Sequence, residues 1–409
     1  MSFRAIAKAW NQAFFEPQSP VPLALYRIFF GLLVMAKLIL FWPDWLNWFG
    51  VHGWVTLVTM HKMEGGTRIN LFDVLPQNDL AIDIFFWAAL LVSFSLTLGF
   101  MTRTSSILVW LALTSIDERE LFAMHSGDTF LRVTSFFLIF APASAAISVD
   151  RLIRIWRGKE EPELKPRVVW AQRMIQYLAA LVYFVTAWWK ATGTTWVNGT
   201  AIYYVHHLEQ FQRFPLPSWV DNPLLIKLQT WFGLTVEFAL GTLIWIKECR
   251  YWALLAGVIL HLTLEYTMNV PLFQFIMMAT FILFIDPVDL ERFWAAVRNR
   301  IVVRLGPPVR LVYEASEFEA LRRINLIRAI DILRRVDIVE DRTVMSNFSS
   351  AVRKNPYVLV DTPQGAIAGF GALLELGRVI PLLWPLRLIR QVAPNRATLD
   401  SEPRSVSEP

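Results

Sequence analysis

The chain has 409 residues, of which 55% are hydrophobic and 18% charged, with 18 tryptophans and a formal charge of +5. Soluble domains carry about a quarter charged residues, so this composition is that of a membrane protein, and its modest positive charge fits basic loops at a membrane face rather than a nucleic-acid-binding surface. The single cysteine, Cys249, excludes an internal disulfide, a CxxC redox pair and a thiolate metal cage.

The opening MSFRAIAKAWNQAFFEPQSP has apolar stretches too short for a secretory signal and reads as an amphipathic, interfacial lead-in to the first span. Apolar runs follow at 21–42, 81–101, 104–117, 130–149, 170–192, 224–246, 252–268 and 272–286. Most approach the ~20 residues that cross a bilayer. The third, seventh and eighth are short, and Pro271 separates the last two. The expected architecture over residues 1–300 is an all-α polytopic membrane domain of about eight transmembrane helices. Segment 305–395 is soluble in composition: VRLVYEA reads as a strand, EALRRINLIRAIDILRRVD as an amphipathic helix and PYVLVDTPQGAIAGF as strand, turn and strand. This makes a small C-terminal α/β domain, and the polar tail 396–409 is expected to be disordered.

The basic residues assign a direction. With the N-terminus in the cytoplasm, Arg4, Lys8, Arg103, the basic set from Arg151 to Arg173, Lys247, Arg250 and the arginines after 290 all lie inside. The opposite loops hold only Lys62, Arg68, Arg119 and Arg213. Positive residues collect on the cytoplasmic side, so both termini are expected there, as in a bacterial inner-membrane protein. His52, His61, His125, His206 and His207 then fall on outer loops, with His261 inside a span. Either proton chemistry faces outward or these are interfacial histidines in polar loops.

Ionisable residues within spans are costly and mark functional candidates; here they are Arg27, Lys37, Arg132, Lys190, Glu237, His261 and Glu265. Lys37, Arg132, Lys190 and Glu265 fall in the expected outer half and are placed around a shared cavity. Lys190 closes an aromatic run in YFVTAWWKATGTTWVNGTAIYY. It is either a buried amine serving as a base or an ammonium that snorkels to the headgroups. His261 and Glu265, four apart, share a helical face, where they relay a proton or satisfy each other. In FAMHSGDTFLR, Asp128 caps the fourth span and Arg132, one turn on, pairs with it. A zinc site needs further ligands at suitable spacing, and no metal is expected.

Together LALYRIFFG, HSGDTFLR followed by ISVDRL, YFVTAWWKATGTTWVNGTAIYY and HLTLEYTMNVPLFQFIMMATFILF resemble, over residues 10–295, the HTTM family of polytopic membrane proteins, which includes the vitamin K-dependent gamma-glutamyl carboxylases. The resemblance implies that Lys190, a few residues before Trp196 and Gly199, is the base that deprotonates reduced vitamin K, here a menaquinone-like hydroquinone. On the expected outer side His261 and Glu265 join it as catalytic candidates. Arg132, Asp128, His125, Trp189, Trp196 and Tyr203 are the candidate quinone- or substrate-binding residues. The implied partners are a membrane lipid or quinone and a peptide or protein substrate on the outer side. Animal members carry a large lumenal region for a substrate propeptide, whereas the outer loops here are short. The competing class is a non-catalytic membrane protein that binds lipid or peptide, or supports peptide maturation or export, with the C-terminal domain as adaptor.

The C-terminal segment resembles a second family, the DCC thiol-disulfide oxidoreductase-like proteins, through VYEASEFEA and VLVDTPQGAIAGFGALLELGRVIPLLWPLRLI. The resemblance implies a thioredoxin-like fold with Glu317 and Ala320 at the two cysteine positions, so thiol exchange is lost.

The expected topology is tested by cysteines introduced one at a time at Gly65 and Gly158 in a Cys249→Ser background. A membrane-impermeant maleimide should label the first from outside intact cells and spare the second. Equal labelling would overturn the orientation.

Overall fold

The structure, a computed structural model, describes residues 3–63, 69–120, 122–303, 308–313, 318–341, 358–359 and 367–385. The tail 396–409, expected to be disordered, lies outside the described residues. Two compact units emerge, one of residues 1–150 with 165–287, the other of 151–164 with 288–409.

The first unit is helical. Helix α1 (Phe3–Phe15) buries none of its own residues. It is tied to the ninth helix by Arg173 Nε, which donates to the Ala13 carbonyl at 3.0 Å, and by Phe14 stacked on Tyr177. A short strand, β1 (Pro17–Gln18), pairs antiparallel with β2 (Arg167–Val168). Helix α2 (Val21–Phe41) opens on Pro20 and Pro22, where the missing amide hydrogens cost nothing. After α3 (Trp45–Phe49) and α4 (Leu57–Met63), helix α5 (Asp79–Leu98) starts at Asn78, whose side chain accepts from Ala81 N. It stops at Gly99, whose left-handed φ of 68° ends the helix at low steric cost. Helix α6 (Thr102–Arg119) is capped from a distance: the Asp150 carboxylate accepts from Met101 N and Thr102 N, both at 2.8 Å. Helix α7 (Ser126–Phe140) carries a His125 and Asp128 capping box.

Helix α8 (Val149–Trp156) belongs to the second unit from Arg151 on. In the first unit then come α9 (Trp170–Ala191), the short α10 (Thr194–Val197) and α11 (Ala201–His206), then α12 (Pro223–Thr242), α13 (Lys247–Thr267) and α14 (Phe273–Phe281). Helices α2 and α5, α6 and α7, and α9 and α12 pack most extensively. Two glycines set the spacing. A Cβ on Gly31 would fall 2.2 Å from Thr97 Oγ1, and one on Gly241 would fall 2.8 Å from the Phe184 backbone. The α2–α5 and α9–α12 crossings are therefore closer than side chains at these positions would permit. The core runs through Leu23, Phe30 and Val34 of α2, Phe86 of α5, Leu113 of α6, Leu131 of α7, Ile175 of α9 and Leu240 of α12.

Each apolar run contains a helix, although 130–149 is helical only as far as Phe140, and the expectation of eight spans is corrected. Among the described residues two helices are long and apolar enough to cross a membrane, Val21–Phe49 and Asp79–Leu98, or three if Phe273–Phe284 with Pro287–Val303 counts as one broken span. The others fall short for local reasons. Helix α6 carries Arg103, Asp117, Glu118 and Arg119, α7 has 15 residues and α14 has nine.

The buried charges of α2 find partners on other elements. Arg27, fully buried, donates from Nη1 to Ala143 O at 2.7 Å and from Nη2 to Ile147 O at 2.5 Å and Thr97 O at 3.3 Å. Lys37 Nζ lies 2.9 Å from Asp117 Oδ1 and 2.8 Å from Asp128 Oδ1, with all three side chains almost wholly buried.

The second unit contains α15 (Pro287–Val303) and a four-stranded sheet. Strand β3 (Val309–Tyr313) runs parallel to β4 (Val336–Glu340) on one side and antiparallel to β5 (Val358–Leu359) on the other, and β5 pairs antiparallel with β6 (Ile367–Ala368). The order is β4-β3-β5-β6. Helices α16 (Phe318–Ile330) and α17 (Gly369–Val379) bury Ile324, Ile327, Ala372 and Leu376 with Leu311 and Tyr313 of the sheet.

Substituting Lys37→Met should leave Asp117 and Asp128 buried without their cation. A loss of about 3–5 kcal/mol is expected, the cost of breaking a buried pair by removing one partner. Adding Asp117→Asn and Asp128→Asn should recover part of it. Thermal unfolding in detergent measures both, and a Lys37→Met variant as stable as the parent would refute the account.

Candidate functional site

Lys190 sits in the last turn of α9. Its Nζ donates to Glu237 Oε1 on α12 at 2.5 Å and lies 4.7 Å from the centre of the Trp196 ring. Trp196 is brought there by the loop that follows. Helix α10 ends in the left-handed turn of Gly199, φ 74°. A Cβ at Gly199 would sit 2.9 Å from Lys227 Cγ and 3.2 Å from Trp231 Cε2, so only glycine lets the loop lie this close to α12. Trp231 Nε1 donates to Val197 O and fastens it. The run of Trp, Gly and Tyr after Lys190 thus folds back and lays an aromatic face against the ammonium, a cation–π contact.

Two turns before Lys190 on the same face of α9, the Tyr183 hydroxyl lies 2.6 Å from His261 Nε2, and His261 Nδ1 lies 2.6 Å from Gln274 Oε1. An amide oxygen only accepts, so with Oε1 facing the ring Nδ1 carries the hydrogen and a neutral imidazole leaves Nε2 to accept from the tyrosine. This buried chain joins α9, α13 and α14. It interacts electrostatically with the ion pair, Lys190 acting on His261 and Glu237 on Tyr183. Glu237 Oε2 is buried and has no hydrogen-bond partner among the described residues.

The expected pairing of His261 with Glu265 is corrected. His261 points inward and is 2% exposed, whereas Glu265 Oε1 accepts from Arg213 Nη1 at 2.5 Å. A guanidinium is a stronger partner for a carboxylate than a neutral imidazole, and the 208–213 loop brings it there through Asn269 N to Phe211 O at 2.6 Å. The expected pairing of Arg132 with Asp128 is also corrected. Arg132 Nη1 bonds Glu118 Oε1 at 2.6 Å and its Nε lies 3.8 Å from Asp117 Oδ2, while Asp128 is taken by Lys37. Asp128 does cap α7: its Oδ2 accepts from His125 N at 2.9 Å, and His125 Nδ1 accepts from Gly127 N at 3.0 Å.

Lys37, Arg132, Lys190 and Glu265, expected around a shared cavity, are instead split among three ion-pair groups among the described residues. An open groove of about 660 Å³ between α6 and α7 is lined by Ile69, Trp110, Thr114, Glu118, Arg132 and Phe136, and a smaller cavity of about 220 Å³ lies near the end of α6. Lys190 lines neither. Trp189 is 71% exposed, and Tyr203 packs on the His207 ring at 4.3 Å. Of the aromatic candidates it is Trp196 whose ring face the structure brings to the amine.

Tyr183, Gln274, Asp117, Glu118 and Arg213 join these groups without having been singled out in the sequence. Only Tyr183 carried a usable signal: it lies seven residues before Lys190, two helical turns along one face.

The HTTM domain model matches residues 15–288, which contain every group just described. The chain belongs to the HTTM domain family. This HTTM protein is similar to "Uncharacterized protein YitO" of Bacillus subtilis (strain 168), with 23% identity over 236 residues, 54% of this chain and 73% of the relative. No solved structure matches it. Family membership agrees with the two long apolar helices in pointing to a membrane protein.

If Lys190 and Glu237 act as a unit, Lys190→Met and Glu237→Gln should not add. Each single change strands a partly buried charge, and the double should recover roughly 0.5–3 kcal/mol in a thermal-unfolding cycle. Strict additivity would show that the pair is only a contact.

Proposed function

We propose that the protein is an integral membrane protein in which Lys190, Glu237 and the Tyr183–His261–Gln274 chain form a proton-handling site for a menaquinone-like hydroquinone, in a carboxylase- or epoxidase-type reaction. The observation that carries this reading is the lysine amine held between the Glu237 carboxylate and the face of Trp196. An ammonium cannot take a proton, so Lys190 becomes a base only by passing one to Glu237. The unpartnered Oε2 of Glu237 leaves that carboxylate room to receive it. Trp196, with the exposed Trp188 and Trp189 nearby in sequence, offers flat apolar surface for a ring. His261 and Tyr183 hold a second proton route in a fixed tautomer. When bound, a reduced quinone would, after giving up a proton and reacting with molecular oxygen as oxidant, supply the strong base that carboxylases of this kind turn on their substrate. Glu265, paired with Arg213, and the Arg132, Asp128 and His125 group serve this site only at a distance, as structural supports.

A second reading rests on a specific observation: Lys190 is already ion-paired and lines neither cavity. It makes the protein a non-catalytic binder of lipid or peptide, or a support for peptide maturation or export. In both readings the termini are cytoplasmic in a bacterial inner membrane, and the C-terminal unit is an adaptor. Its thioredoxin-like character is supported by the strand order and directions, with a parallel β4–β3 pair at one edge followed by the antiparallel pairings β3–β5 and β5–β6. Of the two positions assigned to cysteines by resemblance, Ala320 is buried and Glu317 lies outside the described residues.

The test is quinone extraction and mass spectrometry on protein purified from its native membrane. Wild type should carry a quinone, and Lys190→Ala should lose about tenfold of it and all turnover. Lys190→Arg should keep the ion pair and still fail in turnover, because guanidinium stays protonated. Turnover retained in Lys190→Arg would establish an electrostatic role instead.

A further inference from the structure

At the end of α6, Arg119 and Glu120 are buried side by side, 2% and 1% exposed. Their nearest charged atoms, Nη1 and Oε2, stand 3.9 Å apart, too far for a hydrogen bond, and each lacks a hydrogen-bond partner among the described residues. A guanidinium N–H without an acceptor in the interior is a costly arrangement that calls for an explanation. Glu120 compensates weakly: burial pushes its carboxyl above the usual range, toward the neutral acid.

Arg119 lines the cavity of about 220 Å³. The walls are otherwise mostly apolar, with Phe49, Val51, Leu57, Phe72, Leu75 and Ile82 prominent. Phe49 and Phe72 stack at 5.7 Å along one side. Gln77 also borders the cavity, but its amide nitrogen is already used, donating to Phe72 O and Leu75 O. The cavity thus offers one cationic donor set against an apolar enclosure. Its volume is below the ~300 Å³ at which sites for drug-sized ligands begin, so its occupant is small.

We infer that this cavity is a binding site for a small apolar monocarboxylate, a short- to medium-chain fatty acid, whose carboxylate pairs with the Arg119 guanidinium while its hydrocarbon fills the space between Phe49, Phe72 and Leu75. A guanidinium fork matches a carboxylate in both shape and charge, and Arg119 is the charged side chain among the residues that line the cavity. The hydrocarbon gains from leaving water in proportion to the area it buries. The site is separate from the Lys190 group and does not depend on the quinone reading.

The experiment uses the full chain in lipid nanodiscs and equilibrium dialysis with radiolabelled octanoate, with empty discs as background. Wild type should bind octanoate above background, and unlabelled octanoate should displace it about tenfold better than octanol, which has the chain without the charge. Arg119→Gln should weaken binding by about tenfold or more. Because that variant also removes one member of the buried pair, Leu75→Trp provides a second route: it fills the cavity, leaves Arg119 in place and should abolish binding. Octanol competing as well as octanoate, octanoate bound normally by Leu75→Trp, or no binding by wild type above empty discs would each overturn the inference.

Discussion

A lysine ammonium enters the interior of a helical bundle only in company, and Lys37 brings two carboxylates with it. Asp117 comes from α6 and Asp128 from the first turn of α7, so one cation on α2 fixes the separation of three helices. Ten residues earlier, about 15 Å along the same helix, Arg27 gathers carbonyls from the end of α5 and from the segment after α7. Helix α2 is therefore pinned at two levels. The apolar contacts between these levels can be fairly ordinary, because the polar clamps have already decided which helix lies where.

The other half of the bundle repeats the rule with smaller stakes. Lys190 draws α9 to α12 through Glu237, and Arg213 draws the 208–213 loop to α13 through Glu265. Both pairs are partly exposed, which makes them weaker as clamps than the Lys37 group but more accessible to chemistry. The neutral Tyr183–His261–Gln274 chain holds α9, α13 and α14 together with no net charge to bury. Structural support and candidate chemistry are thus divided between the two halves, with the most deeply buried ions in the first.

Much of this was legible in the sequence as single residues and little of it as pairs. Hydropathy located the helices because burying apolar side chains is a local, additive pattern. It overcounted the spans because a run such as 104–117 reads as apolar until the charges at its margins are included. Arg27, Lys37, Lys190 and Glu237 each stood out as charges in apolar surroundings. Their partners did not, since Asp117 lies 80 residues from Lys37 and Glu237 lies 47 from Lys190. The one rule that does predict partners from sequence, spacing along a helix, paired His261 with Glu265 and Asp128 with Arg132. In both cases a better electrostatic match on another element won. The capping role of Asp128 was readable, because a cap is satisfied within its own turn.

The remote cap on α6 bears on how the chain is made. Thr102 leaves the ribosome 48 residues ahead of Asp150, the carboxylate that will close its first turn. At roughly 5–20 residues per second that is an interval of about 2–10 s. Arg27 waits longer still, since its carbonyl partners at Ala143 and Ile147 follow it by 116 and 120 residues. During synthesis the first helices must therefore rest in an unfinished state, with a guanidinium unsatisfied and a helix end open. They settle only when the short stretch from Ala143 to Asp150 arrives and supplies both needs at once, which makes that stretch the moment of commitment for everything translated before it.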